Sequence, residues 1–527
     1  MTLEEFKSLS PAEFFYRNRE IAGFSNPARA LYQTVRELVE NALDATEVHG
    51  ILPLVRIYIE RDSVPTHYTV SVEDNGIGIP PQYVPQAFGQ VLFSSKYRLR
   101  QTRGMFGLGA KMAILYGQLT TGKPVEVITS PIGSKRVYSF KLMIDIKTNR
   151  PVILEKSSWP KKKDWHGTIV SVSIEGDWSR AKSRILEYVK RVALITPYAE
   201  IVFQGPDNTY LYYPRAALKL PKPPKEVLPH PYGIDLEALK MMIASTNEKT
   251  LLEFLYKSFQ GVGKVIAQRF LQEVGLDLNR DPKSLTIDEL KTLVTKLKTF
   301  NGFKPPRADP LSPIGAELIA IGLKQILKPE FVVAITRRPS VYEGHPFIVE
   351  VGLAYGGQIP SSQEPLLYRY ANKIPLLYDE KSDLLWKIVS EFDWHQYSVT
   401  FPAPLAILIH VCSTKIPYKG VGKESIADVS EIEREVKNAL REAGRKLRLY
   451  IQRKRKIEET YKKLTLFIRY IPEIALSLES LSVNPQSRSK GINRDKLIEK
   501  LINILNKKMG NVNVSKELIN KVVVSIE

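Results

Sequence analysis

Apolar residues recur at Leu31, Val35, Leu38, Val39 and Ala42, and at about 100° per residue these five gather on one side of a helix. Asn26 is placed to cap that helix, and Pro27 suits its first turn, where a missing N–H costs nothing. The opposite side carries Glu37, Asn41 and Asp44, spaced i, i+4, i+7 and so within roughly 60° of one another. A different period follows. Tyr68-Thr69-Val70-Ser71-Val72-Glu73 alternates like a half-buried strand and runs into the glycine-rich turn Asp74-Asn75-Gly76-Ile77-Gly78. A third segment, Gly104-Met105-Phe106-Gly107-Leu108-Gly109, leads into the apolar run Ala110-Lys111-Met112-Ala113-Ile114-Leu115, which continues as a helix.

Further along, the proline-rich stretch from Tyr213 to Lys225 reads as a stiff linker closing a first domain, 1–225. Residues 226–308 are expected to be all helical, with Gly261-Val262-Gly263-Lys264 a tight turn opening one helix, a geometry able to bind a nucleic-acid phosphate through its N–H groups. Strands return at Phe331–Ile335, Phe347–Val351, Tyr368–Asn372 and Leu405–Val411, giving an α/β layer. From about Glu424 to Tyr470 the period predicts one long amphipathic helix, roughly 70 Å at 1.5 Å per residue, with Pro472 ending it. Arg445, Lys446, Arg448, Arg453, Lys454, Arg455 and Lys456 lie on that helix with no acid among them. Ser480 to Lys490 then reads as a linker. Leu497–Leu505 is a short amphipathic helix whose apolar face needs another surface, so it is expected to dock on a partner. The boundaries are 1–225, 226–308, 309–475 and 476–527, in an α+β multidomain chain.

Composition narrows the function. The 527 residues are 43% hydrophobic and 25% charged, an ordinary globular balance rather than a disordered one. The formal charge of +20 points to a polyanionic partner, nucleic acid first. The single cysteine, Cys412, stands in an apolar run and is expected to be a small buried hydrophobe. No apolar run reaches membrane length and the first residues lack a signal-peptide core, so no membrane and a cytoplasmic location are expected.

The three segments of the first domain carry the chemistry. A carboxylate and a carboxamide one turn apart, Glu37 and Asn41, suit deprotonation of a water and binding of a hard Mg²⁺ ion. A carboxylate fixed at a strand end, Asp74, suits the exocyclic amine of adenine, and Gly76 and Gly78 let backbone approach the base. Free N–H groups at a glycine-rich helix start, with Lys111, suit phosphates. Two rival motifs fail. Gly117–Pro124 nearly spells a Walker A loop, but Pro124 stands where the Mg²⁺-binding hydroxyl belongs and a helix precedes it. The glycines at 104, 107 and 109 run in the reverse order to a dinucleotide fingerprint.

In this order and spacing the segments resemble the Bergerat fold of the GHKL ATPase superfamily, whose fourth element is matched by His166-Gly167-Thr168 ahead of Ile169–Val172. Followed by a helical module, a transducer-like layer and a long helix, they resemble the B subunits of archaeal-type DNA topoisomerase VI over about residues 1–475, and the tail more loosely. The resemblance implies a Bergerat-fold ATPase sandwich, a helix–two-turns–helix module, an α/β transducer domain and a long C-terminal helix. It implies ATP and Mg²⁺, with Glu37 as general base and Asn41 as the metal ligand. Asp74 with Thr168 would read adenine, and Ser95 and Lys96 would line the lid approach. Gly104, Met105, Phe106, Gly107, Leu108, Gly109, Ala110 and Lys111 would wrap the phosphates. In such families one transducer lysine reaches the γ-phosphate. Lys415, Lys419 and Lys423 all compete, and Lys423, after a Gly-Val-Gly hinge, matches best. The implied partners are double-stranded DNA, a separate A subunit that cleaves it, and a second copy joined on ATP binding, across which the apolar segment from Leu3 to Tyr16 would strap. No Asp-x-Asp metal pair occurs, and none of the 25 tyrosines is singled out as a nucleophile, so cleavage is assigned to another chain. A MutL-like repair ATPase shares the boxes but would lack the helical module.

Overall fold

The computed structural model describes residues 8–94, 99–104, 107–162, 164–420, 422–482 and 493–509. The chain divides into two compact units, Met1–Arg445 and Lys446–Glu527.

Helix α1 (Pro11–Arg17) precedes α2 (Pro27–Glu47), which begins where its signals place it: the Asn26 side chain accepts from the Arg29 N–H at 2.9 Å. Leu31, Val35, Leu38, Val39 and Ala42 are all buried. Then come β1 (Leu54–Arg61), β2 (His67–Asp74), α3 (Val84–Gly89), α4 (Gly109–Thr121), β3 (Val125–Ser130), β4 (Arg136–Asp145), β5 (Arg150–Pro160), β6 (Gly167–Glu175), α5 (Trp178–Ile195), β7 (Glu200–Gln204) and β8 (Tyr210–Tyr213). The eight strands form one sheet in the order β5-β4-β3-β6-β2-β1-β7-β8, antiparallel except for β1 beside β7. Alternate residues of β2 are buried, so Tyr68, Val70 and Val72 face the helices. Asp74, next in that series, falls at the strand's open end. The near-Walker segment is no phosphate loop: Gly117 lies inside α4 and Gly122 ends it in left-handed conformation.

Four helices follow, α6 (Leu236–Ser245), α7 (Leu251–Ser258), α8 (Lys264–Val274) and α9 (Ile287–Thr299), around a core that includes Leu251, Phe254, Phe270 and Leu293. Gly263 is the residue before α8, as the turn Gly261–Lys264 suggests. Next are α10 (Ala316–Leu327), β9 (Phe331–Thr336), β10 (Ser340–Tyr342), β11 (His345–Tyr355), β12 (Leu366–Ala371), β13 (Ile374–Pro375), α11 (Leu384–Ser390) and β14 (Leu405–Ser413). They build a second sheet, β10-β11-β14-β12-β13 with β9 also on β11. Its central strand β14 is buried throughout, Cys412 included. Leu194, Ile195 and Tyr198 of the first layer share one apolar cluster with Leu318, Ile319 and Leu323 of α10 and Leu408 of β14.

The long helix α12 runs Ser430–Ser482, which corrects the reading at both ends. It starts after Glu424 because Tyr418 and Ile426 form a β-bridge and the Ile426 N–H donates to Asp383 at 2.8 Å, holding that stretch extended. It passes through Pro472 and covers Ser480–Ser482. In the second unit Leu464, Ile468 and Ile471 of α12 pack on Ile498, Leu501, Ile502 and Leu505 of α13 (Arg494–Met509). A proline inside a helix costs about 3 kcal/mol, which burial of these side chains at about 1.5–3 kcal/mol each outweighs. Ile498, Leu501, Ile502 and Leu505 of that short helix thus meet an apolar surface inside their own chain. Among the described residues no helix is long and apolar enough to cross a membrane.

Candidate nucleotide site

A cavity of about 670 Å³ opens between α2, the end of β2, the start of α4 and two turns of the second sheet's layer. Glu37, Asn41 and Asp44 face it from α2, as the i, i+4, i+7 spacing requires. Gln33, one turn before Glu37, donates from Nε2 to Glu37 Oε1 at 2.9 Å and fixes the carboxylate's direction.

Asp74 closes the far end. Its Oδ1 accepts the N–H groups of Gly76 at 2.8 Å and Thr168 at 3.2 Å. Burial is the largest influence on this carboxyl and pushes it up to about 7, against the pull of those two N–H groups. Gly76 itself stands behind Asp74 rather than on the cavity wall, and the His166 ring shares a 2.7 Å hydrogen bond through Nδ1 with its carbonyl. Gly78 does line the cavity; its φ of +70° and the Ser130 carbonyl, 2.3 Å from where a Cβ would stand, admit only glycine. Thr168 and Val170 of β6 complete this end.

A further part of the wall is the helix start. Gly104 and Gly107 to Lys111 line the cavity. Leu108, the residue before α4, makes no side-chain cap, and the positive end of the helix dipole lies at this wall. The Lys111 side chain is buried, and its Nζ donates to the carbonyls of Phe93 and Gly107, so its ammonium braces the loop. Ser95, Lys96, Met105 and Phe106 lie outside the described residues, as does the strap from Leu3 to Phe6. The described part of that segment, α1, rests on its own layer, with Ala12 buried and Phe15 on the cavity wall.

The second layer supplies Lys423, whose Nζ donates to the Arg103 carbonyl at 3.3 Å and which lines the cavity in left-handed conformation, φ 54°. Lys415 and Lys419 are not on the wall; Lys419 pairs with Asp428 at 3.1 Å. The loop carrying Lys423 is clasped by α2, for Arg29 pairs with Glu424 at 2.6 Å and Arg36 donates to the Gly422 carbonyl at 3.4 Å.

Sequence reasoning missed four residues here. Arg103, buried, pairs with Asp44 at 3.0 Å and Glu47 at 2.6 Å. Lys373 pairs with the other oxygen of Glu47 at 3.0 Å, and Ser312 receives a bond from Lys373. Burial pushes the Glu47 carboxyl up, but Arg103 and Lys373 outweigh it and hold the group below the ordinary range. Glu47 had a signal, being three residues past Asp44 on one helix face; Arg103, Lys373 and Ser312 had none.

A family model described as histidine kinase-, DNA gyrase B- and HSP90-like ATPase matches residues 26–146, and one described as topoisomerase VI B subunit, transducer, matches residues 306–463. The B subunit of type 2 DNA topoisomerase 6 from Saccharolobus solfataricus is 53% identical over 97% of both chains. Its namesake from Metallosphaera sedula is 57% identical over 90% of both. Such identity, held across both sheets, the helical module and the cavity between them, means that the chain belongs to the family of type 2 DNA topoisomerase 6 B subunits.

Proposed function

We propose that this chain binds and hydrolyses ATP as the B subunit of a type IIB DNA topoisomerase. ATP-driven dimerisation closes a gate on a DNA duplex and signals its passage through a double-strand break made by a separate A subunit, relaxing supercoils and decatenating DNA. The observation that carries this reading is a cavity lined by both layers, with Glu37 from the first and Lys423 from the second. In it Glu37 takes a proton from the attacking water, Asp74 and Thr168 read the adenine edge, and the N–H groups at the start of α4 receive phosphate oxygens. Asn41 fits Mg²⁺: its amide oxygen is a hard neutral donor one turn from Glu37 on the same wall, and Mg²⁺ takes its remaining ligands from phosphates and water. The ion, when bound, neutralises phosphate charge. Lys423 leaves the Arg103 carbonyl for the γ-phosphate.

The basic run Arg445–Lys456 of α12 and the glycine turn ahead of α8 are DNA contacts in this reading, supported by the net charge of +20. The test is supercoil relaxation by the chain reconstituted with a cleaving A subunit. Relaxation that needs both proteins and ATP is expected. A chain that hydrolyses no ATP in that mixture would overturn the reading.

A further inference from the structure

The second layer touches the nucleotide cavity at another point besides the Lys423 loop. Asn372 and Lys373, in the turn between β12 and β13, both have left-handed backbone, with φ of 47° and 68°. Residues other than glycine hold that conformation where their surroundings dictate it, and the surroundings here are explicit. The Asn372 side chain accepts from the Ser413 N–H at 2.9 Å and donates to the Ser413 carbonyl at 3.0 Å. The Lys373 N–H donates to His410 Nε2 at 3.0 Å, so the ring proton sits on Nδ1 and is donated to Glu350 at 2.8 Å. Glu350, fully buried, also accepts the Ile314 and Gly315 N–H groups at 2.8 and 2.7 Å and the Thr336 hydroxyl at 2.8 Å. The turn is therefore bolted to the interior of the second sheet.

From that anchor the Lys373 side chain crosses to the first layer. Its Nζ donates to Glu47 Oε2 at 3.0 Å and Ser312 Oγ at 3.1 Å. Glu47 Oε1 receives Arg103 at 2.6 Å and the Tyr198 hydroxyl at 2.9 Å, and the carbonyl of the same Arg103 is the seat of Lys423. Asn372 reaches the neighbouring carbonyl, that of Thr102, at 3.4 Å. We propose that Lys373 is a positioning residue for ATP hydrolysis: a fixed strut from the second sheet that sets Glu47 and Arg103, and with them the backbone from which Lys423 moves to the γ-phosphate. The layer would then hold the site by two lysines, one that stays and one that moves. This rests on the ATPase reading of the cavity and on Lys423 as its sensor.

A merely structural ion pair makes a different prediction. Removing one partner leaves a buried charge uncompensated and destabilises the fold, whereas removing both charges is often harmless. The test therefore compares wild type, Lys373→Met and the double variant Lys373→Met/Glu47→Gln, as full chains with the cleaving A subunit. Melting temperature, binding of a non-hydrolysable ATP analogue, and kcat and KM for hydrolysis are measured. Lys373→Met is expected to melt lower. The double variant is expected to regain most of the melting temperature and to bind analogue within about threefold of wild type. Its kcat should stay down ~10–100-fold with KM little changed, since misplacing a site by about 1 Å costs on that order. A double variant with wild-type kcat overturns the proposal, and so does one that folds normally but fails to bind the analogue. Glu37→Ala is run alongside: if it hydrolyses ATP at the wild-type rate, the reading of the cavity has failed rather than the role of Lys373.

Discussion

Gly109, the first residue of α4, lies so close to Glu37 that a Cβ added to it would stand 1.6 Å from Glu37 Oε2. Gln33 holds the other carboxylate oxygen at 2.9 Å, and the glycine leaves open the space in which Oε2 lies. This glycine thus has a second duty beside exposing N–H groups. It makes room for the carboxylate.

Two substitutions follow from that contact. Glu37→Ala is expected to lower ATP turnover by ~10²–10⁴-fold, the usual cost of losing a general base, while analogue binding survives. Gly109→Ala should push the same carboxylate aside and lower turnover in the same direction by a smaller factor. Steady-state hydrolysis and analogue titration check both, and a Gly109→Ala variant with unchanged turnover would show that Glu37 does not need the room.

With Asp74 reading adenine as proposed, nucleotide binding is expected to depend on pH. Burial pushes the Asp74 carboxyl up to about 7, against an ordinary value of 3.8, so it is largely protonated at pH 6. In that reading an adenine amine donates to the ionised form, so binding should draw the group's pKa down and release a proton below pH 7. Analogue affinity should fall as pH drops from 7 to 6, by at most about tenfold per unit. Calorimetry in two buffers of different ionisation enthalpy measures the proton released; no release at pH 6.5 would remove Asp74 from adenine recognition.

Lys423→Ala should lower hydrolysis and uncouple what remains from DNA relaxation in the reconstituted complex, with dimerisation largely intact. Lys415→Ala and Lys419→Ala, off the cavity wall, should leave both intact. Turnover and plasmid relaxation measured on the three variants decide it. Full relaxation by Lys423→Ala would hand the role to another lysine, and three silent substitutions would end the sensor reading.

A saturating non-hydrolysable analogue should convert monomer to dimer, because a ligand that prefers the dimeric state shifts the equilibrium towards it. Sedimentation reads this directly. A monomer at saturation would remove nucleotide-driven dimerisation.

What could be read from the chain was what is local. The cap at Asn26, the period of α2 and the alternation of β2 depend on neighbours a few residues away, and so the faces of Glu37 and Asp74 were legible before any fold was known. The strut was not: Lys373 meets Glu47 across 326 positions, and an Asn-Lys pair in a hairpin turn says nothing of the acid it will find. The end of α12 was misread for a related reason. Pro472 is a strong local stop, but burial of Leu464, Ile468 and Ile471 against α13, a tertiary fact, overrides it. The glycine-rich start of α4 was legible as a helix start, whereas the brace that Lys111 makes on Phe93 and Gly107 depends on loop geometry that spacing does not reveal.

The apolar cluster shared by the two layers also has a consequence in time. Leu194, Ile195 and Tyr198 are covered by Leu318, Ile319, Leu323 and Leu408, which are translated later. Tyr198 precedes Leu318 by 120 positions, the difference of their numbers, or roughly 6–24 s of synthesis at ~5–20 residues per second. For that interval the nascent ATPase layer carries an uncovered greasy flank, and Glu47 and Arg103 wait still longer for Lys373. The stretch of translation between the two sheets is thus an interval in which this flank of a growing chain is open to aggregation.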